Sequence, residues 1–184
     1  TGSSADALFA AGADIITGGN HTLKRREIFS RLDSDPSMTR PHNMTADAGS
    51  GYAVCDLGFT RVAVINLIGR VYMPEAGDPF SAADRLVEKA KSDGIGIIVV
   101  DFHAEATSEK RVLAEYLDGR VSAVFGTHTH VQTADEVILP KGTGNITDLG
   151  MTGPQISILG RENNAIIKKQ TPNKVIYKYG QVGS

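Results

Sequence analysis

Ile95-Gly96-Ile97-Ile98-Val99-Val100 runs without a break into Asp101-Phe102-His103, and that stretch decides the fold. Its apolar, β-branched run carries no charge before Asp101, which reads as a strand buried on both faces. The strand stops at polar residues, and a histidine follows at once. Two other segments share this grammar. Ala13-Asp14-Ile15-Ile16 leads into Gly18-Gly19-Asn20-His21, and Val121-Ser122-Ala123-Val124-Phe125 leads into Gly126-Thr127-His128-Thr129-His130.

Helical patterns separate these runs. Ser81 followed by Asp84 reads as a capping box, after which Ala83, Leu86, Val87 and Ala90 form one apolar stripe until Asp93-Gly94. Thr107 or Ser108 starts a second helix, with Val112, Leu113, Tyr116 and Leu117 on its expected buried face and Asp118-Gly119 as its stop. Shorter helices are expected over 4–11 and 24–32. Tyr52-Ala53-Val54-Cys55 and Arg61-Val62-Ala63-Val64-Ile65 flank a turn at Asp56-Leu57-Gly58 and read as a hairpin. Glu136-Val137-Ile138-Leu139, Ala165-Ile166-Ile167 and Lys174-Val175-Ile176-Tyr177 read as further short strands, and 31–50 as a surface loop. The sum is an α/β domain with a mixed sheet.

The 184 residues fit one domain, 1–184. Lys plus Arg number 19 against 21 Asp plus Glu, for a net charge of -2, which argues against a dedicated nucleic-acid surface. The single Cys55 excludes an internal disulfide and a multi-thiolate zinc cluster, and it fits a reduced, cytoplasmic setting. No apolar run approaches the ~20 residues of a membrane span, and no basic-then-apolar leader opens the chain. The chain starts on Thr1, inside a helical pattern, so a trimmed polypeptide is expected.

The chemistry gathers at the strand ends. A lone histidine after a strand is ordinarily a hydrogen-bonded loop residue. Three strands that deliver His21, His103, and His128 with His130 to one rim would instead assemble a polar cluster, because ligands collect at the carboxyl ends of strands. On an extended segment His128 and His130 point to one side and can face one metal or a metal pair. Asn20 adds a neutral oxygen donor beside them. A nitrogen-and-oxygen set without thiolate points to Mn, Fe or Zn in a hydrolytic role. Two such metals, ~3.5–4 Å apart, clamp a phosphate and activate water for in-line attack. Carboxylates to neutralise them are scarce: Asp101 is expected to point away, and neither Glu105 nor Asp148 is an evident bridge.

The order Gly19-Asn20-His21, then His103, then Gly126 with His128-Thr129-His130 resembles calcineurin-like metallophosphoesterases. The blocks 101–110, 126–136 and 147–154 resemble their bacterial YmdB-like branch, and the likeness covers nearly the whole chain. It implies a two-sheet sandwich flanked by helices, lacking its first strands. It also implies a dinuclear centre of two divalent ions, manganese or iron ahead of zinc, hydrolysing phosphodiesters such as cyclic nucleotides. Carried over, Asn20, His103 and His128 bind one metal and His130 the other. His21 is the acid or phosphate-orienting residue, and Thr147 with Asp148 shapes the substrate side. In that family, strands ending in Gly-Asp and Gly-Glu-Asn supply an Asp ligand and the bridging Glu, and both precede the stretch corresponding to Thr1. His42 has no counterpart and reads as solvent-exposed.

A second reading is a degenerate or truncated member that binds nucleotides or regulates without hydrolysis. A third, a His-x-His amidohydrolase, is discounted because that site opens a barrel of ~250 residues. Self-association is left open, on analogy alone.

Overall fold

The computed structural model describes residues 1–170. The first fifty residues hold two short helices, α1 (Gly2–Ala10) and α2 (Glu27–Ser34). The hairpin follows as β1 (Tyr52–Asp56) and β2 (Arg61–Ile68). Its turn is made by Gly58 at φ +81°, a conformation glycine adopts without steric cost. The chain then crosses through α3 (Pro79–Ser92) to β3 (Ile97–His103), and through α4 (Thr107–Leu117) to β4 (Ala123–Thr127). Short strands β5 (Val137–Ile138) and β6 (Gly144–Ile146) precede α5 (Asn163–Gln170). The sheet order is β1-β2-β3-β4-β6-β5. It is parallel through β2, β3, β4 and β6 and antiparallel at both edges. This is the mixed α/β sheet with helices that the sequence predicts; of the two sheets of the expected sandwich, the described residues form one.

Period-two alternation sorts each strand between two faces. Ala63, Ile65 and Leu67 of β2, Ile98, Val100 and Phe102 of β3, and Val124 of β4 meet Leu86 and Val87 of α3 and Leu113 and Leu117 of α4 in one buried cluster. Each large side chain there contributes about 1.5–3 kcal/mol of burial. Both crossover helices lie on this face. The alternate residues Asn66, Asp101, His103 and Thr127 therefore point to the other face, where the register pairs Asn66 with Asp101 and His103 with Thr127. Ala5, Ile28, Leu32 and Met38 build a smaller cluster of their own, from α1, α2 and the chain that follows them. The loop at Gly18 is tied to the sheet, its N–H donating to Asn66 Oδ1 at 3.0 Å.

Several local expectations need correction. Residues 13–16 form no strand: only Ile16 bridges, to Met38, and the next residue, Thr39, bridges Ser50 instead, so no ladder extends along 13–16. Asp78, not Ser81, caps α3. Its carboxylate accepts from the Phe80 and Ser81 N–H groups, with Pro79 preset for the first turn. Asp84 instead accepts from the Arg120 guanidinium and the Tyr116 hydroxyl, which draws Tyr116 toward the surface. The buried face of α4 is accordingly Lys110, Leu113, Ala114 and Leu117, while Val112 and Tyr116 are exposed. Residues 165–167 are helical, because the Glu162 carboxylate caps the Asn164 and Ala165 N–H groups. The expected strand at 174–177 lies outside the described residues.

The stretch 31–50 is not a surface loop. Arg40 is 8% exposed, and its guanidinium donates to the carbonyls of Pro41, Met44, Ala46 and Ala48 at 2.6–3.2 Å. The chain wraps a cation that burial would otherwise penalise, and burial lowers its pKa below the ordinary value. His42 is half-buried, not solvent-exposed, and burial, then Arg40 and Arg85, lowers its pKa. Arg40→Met strands these carbonyls and should lower the unfolding free energy by about 2–4 kcal/mol in urea titration. A loss within experimental error would show that the wrap contributes nothing.

Candidate functional site

The parallel strands end together, and the site lies on that rim. His103 is the last residue of β3, Thr127 the last of β4, and His128 follows directly. The loop carrying Asn20 and His21 comes down over them. A Cβ on Gly19 would lie 2.4 Å from the His103 ring, so only glycine lets the backbone approach this closely.

Three side chains converge. His103 Nε2 lies 3.1 Å from Asn20 Oδ1 and 3.1 Å from His128 Nδ1. The outward nitrogens have partners that fix the tautomers. Thr127 Oγ1 donates to the Asp101 carboxylate at 2.8 Å and so accepts from His103 Nδ1 at 2.9 Å. His128 Nε2 lies 3.0 Å from Glu105 Oε2 and donates to it. Burial, reinforced by His128, Lys110 and His21, pushes the His103 pKa down to about 4, so the ring is neutral near pH 7. His103 Nε2 then presents its lone pair between Asn20 Oδ1 and His128 Nδ1, whose own lone pair is left by the donation from Nε2 to Glu105. Such groups repel unless a cation lies between them. Donors 3.1 Å apart match two ligands each ~2.1 Å from one ion. The set is neutral. Among the described residues no three His, Cys, Asp or Glu side chains gather to hold a metal, and the third donor here is an amide.

Asp101 does not point away. It is 2% exposed and sits behind His103, and burial raises its pKa to about 6 against the Thr17 and Thr127 hydroxyls. The His128-Thr129-His130 segment is not extended either, because β4 stops at Thr127. His128 and His130 have φ of +106° and +64°, sparsely populated for residues with a side chain. His128 turns inward to His103, while His130 and His21 are exposed and line the same cleft of about 630 Å³.

Thr147 and Asp148 do not line that cleft. Thr147 is 4% exposed, and its N–H and hydroxyl go to Asp135. Asp148 is buried behind the rim, where its carboxylate accepts from Lys110 Nζ at 2.7 Å. The same carboxylate takes the Thr129 N–H at 3.1 Å, the Thr129 hydroxyl at 2.7 Å and the Gly150 N–H at 2.8 Å. One carboxylate thus holds the middle residue of the strained histidine loop. Burial opposes its ionisation, but these donors outweigh burial and keep its pKa below the ordinary range. Thr127, Lys110, Leu159 and Arg161 belong to the site or its support without any motif to mark them. The one signal for Lys110 is its place at helical spacing from Leu113 and Leu117.

With its folded pKa below the unfolded ~3.9, Asp148 contributes stability that is complete above that pH and is lost as pH falls through the folded value. Asp148→Asn should flatten the acid limb of the stability curve and cost about 2–4 kcal/mol at pH 7. An acid limb superimposable on that of the wild type would sink this account.

A model of the family described as YmdB-like protein matches residues 1–179. The chain is 51% identical over 167 residues to a 2′,3′-cyclic-nucleotide 2′-phosphodiesterase of Bacillus subtilis (strain 168), covering 90% of this chain. It spans 63% of the length of that relative. A crystal structure of a hypothetical protein from Thermus thermophilus superposes with a TM-score of 0.85 at 41% identity, covering 94% of this chain and 67% of that one. That of a novel phosphatase from Mycoplasma pneumoniae gives 0.81 at 34% identity, covering 92% and 62%. The mixed sheet flanked by helices, the converging strand ends and this family match agree, and the chain belongs to the YmdB-like protein family.

Proposed function

We propose that this chain carries the catalytic cleft of a metal-dependent phosphodiesterase acting on cyclic nucleotides or kindred phosphodiesters. The observation that carries the reading is the convergence of three lone pairs, from Asn20, His103 and His128, in one cleft. These residues would hold one divalent ion, manganese, iron or zinc, and His130 would contribute to a second. When bound, such ions polarise a phosphoryl oxygen and acidify water. The chain's own residues do the rest. Thr127 and Asp101 keep the His103 lone pair aimed inward, and Glu105 does the same for His128. His21, exposed in the cleft, orients the phosphate or gives its proton to the leaving oxygen. For a 2′,3′-cyclic substrate, the bond named in the Bacillus relative, that oxygen is O2′ and the product keeps a 3′-phosphate.

One observation favours a second reading, a nucleotide-binding member that does not hydrolyse. The converging donors are two imidazoles and an amide, and no carboxylate bridges them among the described residues. Metal stoichiometry separates the two. About two ions per chain after loading with Mn, Fe or Zn, together with turnover of a 2′,3′-cyclic nucleotide, is the result expected of the enzyme. Retention of nucleotide without metal or turnover is the result expected of the binder.

His103→Ala and His128→Ala should each remove the first ion, read by elemental analysis of the purified protein. Unchanged metal content in both variants would dissolve the proposed cluster. His21→Ala should leave metal content intact while slowing turnover by about 10²–10⁴-fold. Wild-type turnover in that variant would exclude His21 from the proton or phosphate step.

A further inference from the structure

The cleft has one feature that the metal and proton chemistry leave unused. Among its lining residues Arg161 is the single lysine or arginine, and no side chain among the described residues forms an ion pair with it. The carboxylate of its neighbour Glu162 is turned to the Asn164 and Ala165 N–H groups at the start of α5 and makes no ion pair with it. Glu105, the acidic residue of the lining, is engaged by His128. Arg161 is also held in place. Ile158 and Arg161 exchange both backbone hydrogen bonds, at 2.9 and 3.0 Å, around Leu159 and Gly160 at φ +50° and +83°. Two successive positive φ values make this a tight two-residue reverse turn. The Ser157 hydroxyl braces it, accepting from the Gly160 N–H and donating to the Pro154 carbonyl. The turn presents Leu159 and Arg161 together to the cleft, an apolar side chain beside a fork of N–H donors.

We propose that the Ile158–Arg161 turn is the anion-recognition element of the cleft. Arg161 grips the non-bridging oxygens of the substrate phosphate, and Leu159 packs against the sugar or base carried on it. This deepens the phosphodiesterase reading and rests on it for the identity of the ligand as a phosphate ester. The physical grounds are those of any arginine–phosphate contact. A planar guanidinium offers parallel N–H donors matched to two phosphate oxygens, and the one carboxylate of the lining, Glu105, is turned to His128 rather than to Arg161.

The test is binding of inorganic phosphate to the purified chain by calorimetry, for wild type, Arg161→Gln, Arg161→Lys and Lys141→Gln. Lys141 lies in the turn between β5 and β6, and its N–H is held by Asp118 at the far end of α4. Its replacement makes the same change in net charge away from the cleft. Arg161→Gln should weaken phosphate binding about tenfold or more, the worth of one charge-assisted pair, with Arg161→Lys losing less. Lys141→Gln should stay within about twofold, since charges more than a Debye length away are screened. Metal content should be equal in all four proteins. Wild-type affinity in Arg161→Gln, an equal loss in Lys141→Gln, or no phosphate binding by the wild type would each overturn the assignment. Turnover is scored separately. Arg161-dependent phosphate binding in a protein that cleaves no phosphodiester would refute the enzyme reading and leave the anion site standing.

Discussion

Side chains on a strand must alternate, and β3 is where that constraint governs everything else. Ile98, Val100 and Phe102 are committed to the helices, so Asp101 and His103 have no choice but the opposite face. That face cannot be left as an apolar surface, since it carries a carboxylate and an imidazole. It must be covered by chain able to hydrogen-bond, and the glycine-rich loop before Asn20 does this. The cluster thus follows from the same packing that makes the core, with the polar residues displaced to one side and gathered where the parallel strands stop.

The parts legible in the sequence are those set by local periodicity. The strand read at 95–100 is present as β3, starting at Ile97 and running on through His103, and the hairpin around Gly58 and the helix ends at Gly94 and Gly119 stand as read. The meeting of Asn20, His103 and His128 is legible too, because each follows an apolar run that stops abruptly at glycine or polar residues. What local pattern does not reveal is contact with partners distant in sequence. Lys110 sits in a helix like any surface lysine, and Asp148, 38 residues on, is what makes its burial possible. The same buried lysine explains why the buried face of α4 departs from the apolar stripe and leaves Val112 and Tyr116 outside. Asp101 departs from expectation for a related reason: its carboxylate has no local partner and finds one across the sheet, in Thr127.

The rim concentrates cost in a few positions. His128 and His130 both sit at positive φ, each a conformation that costs of order 1–3 kcal/mol. Nothing in their own segment offsets this. The compensation comes from below, where Asp148 takes both Thr129 donors while its charge is balanced by Lys110. The arrangement separates two duties: the histidines face the cleft, and the Asp148–Lys110 pair that holds their loop is buried away from it.

The wrapped guanidinium of Arg40 bears on how this chain can vary. Irregular segments ordinarily absorb insertions and deletions, since their length is set by nothing but the distance they span. Between Pro41 and Ala48 the length is instead set by the reach of one side chain, with carbonyls at 41, 44, 46 and 48 each aimed at a particular N–H. A residue added or removed there would rotate the carbonyls beyond it off their donor. This coil is therefore gauged like a helix, in residues rather than in ångströms, and homologues that keep the arginine should also keep the count.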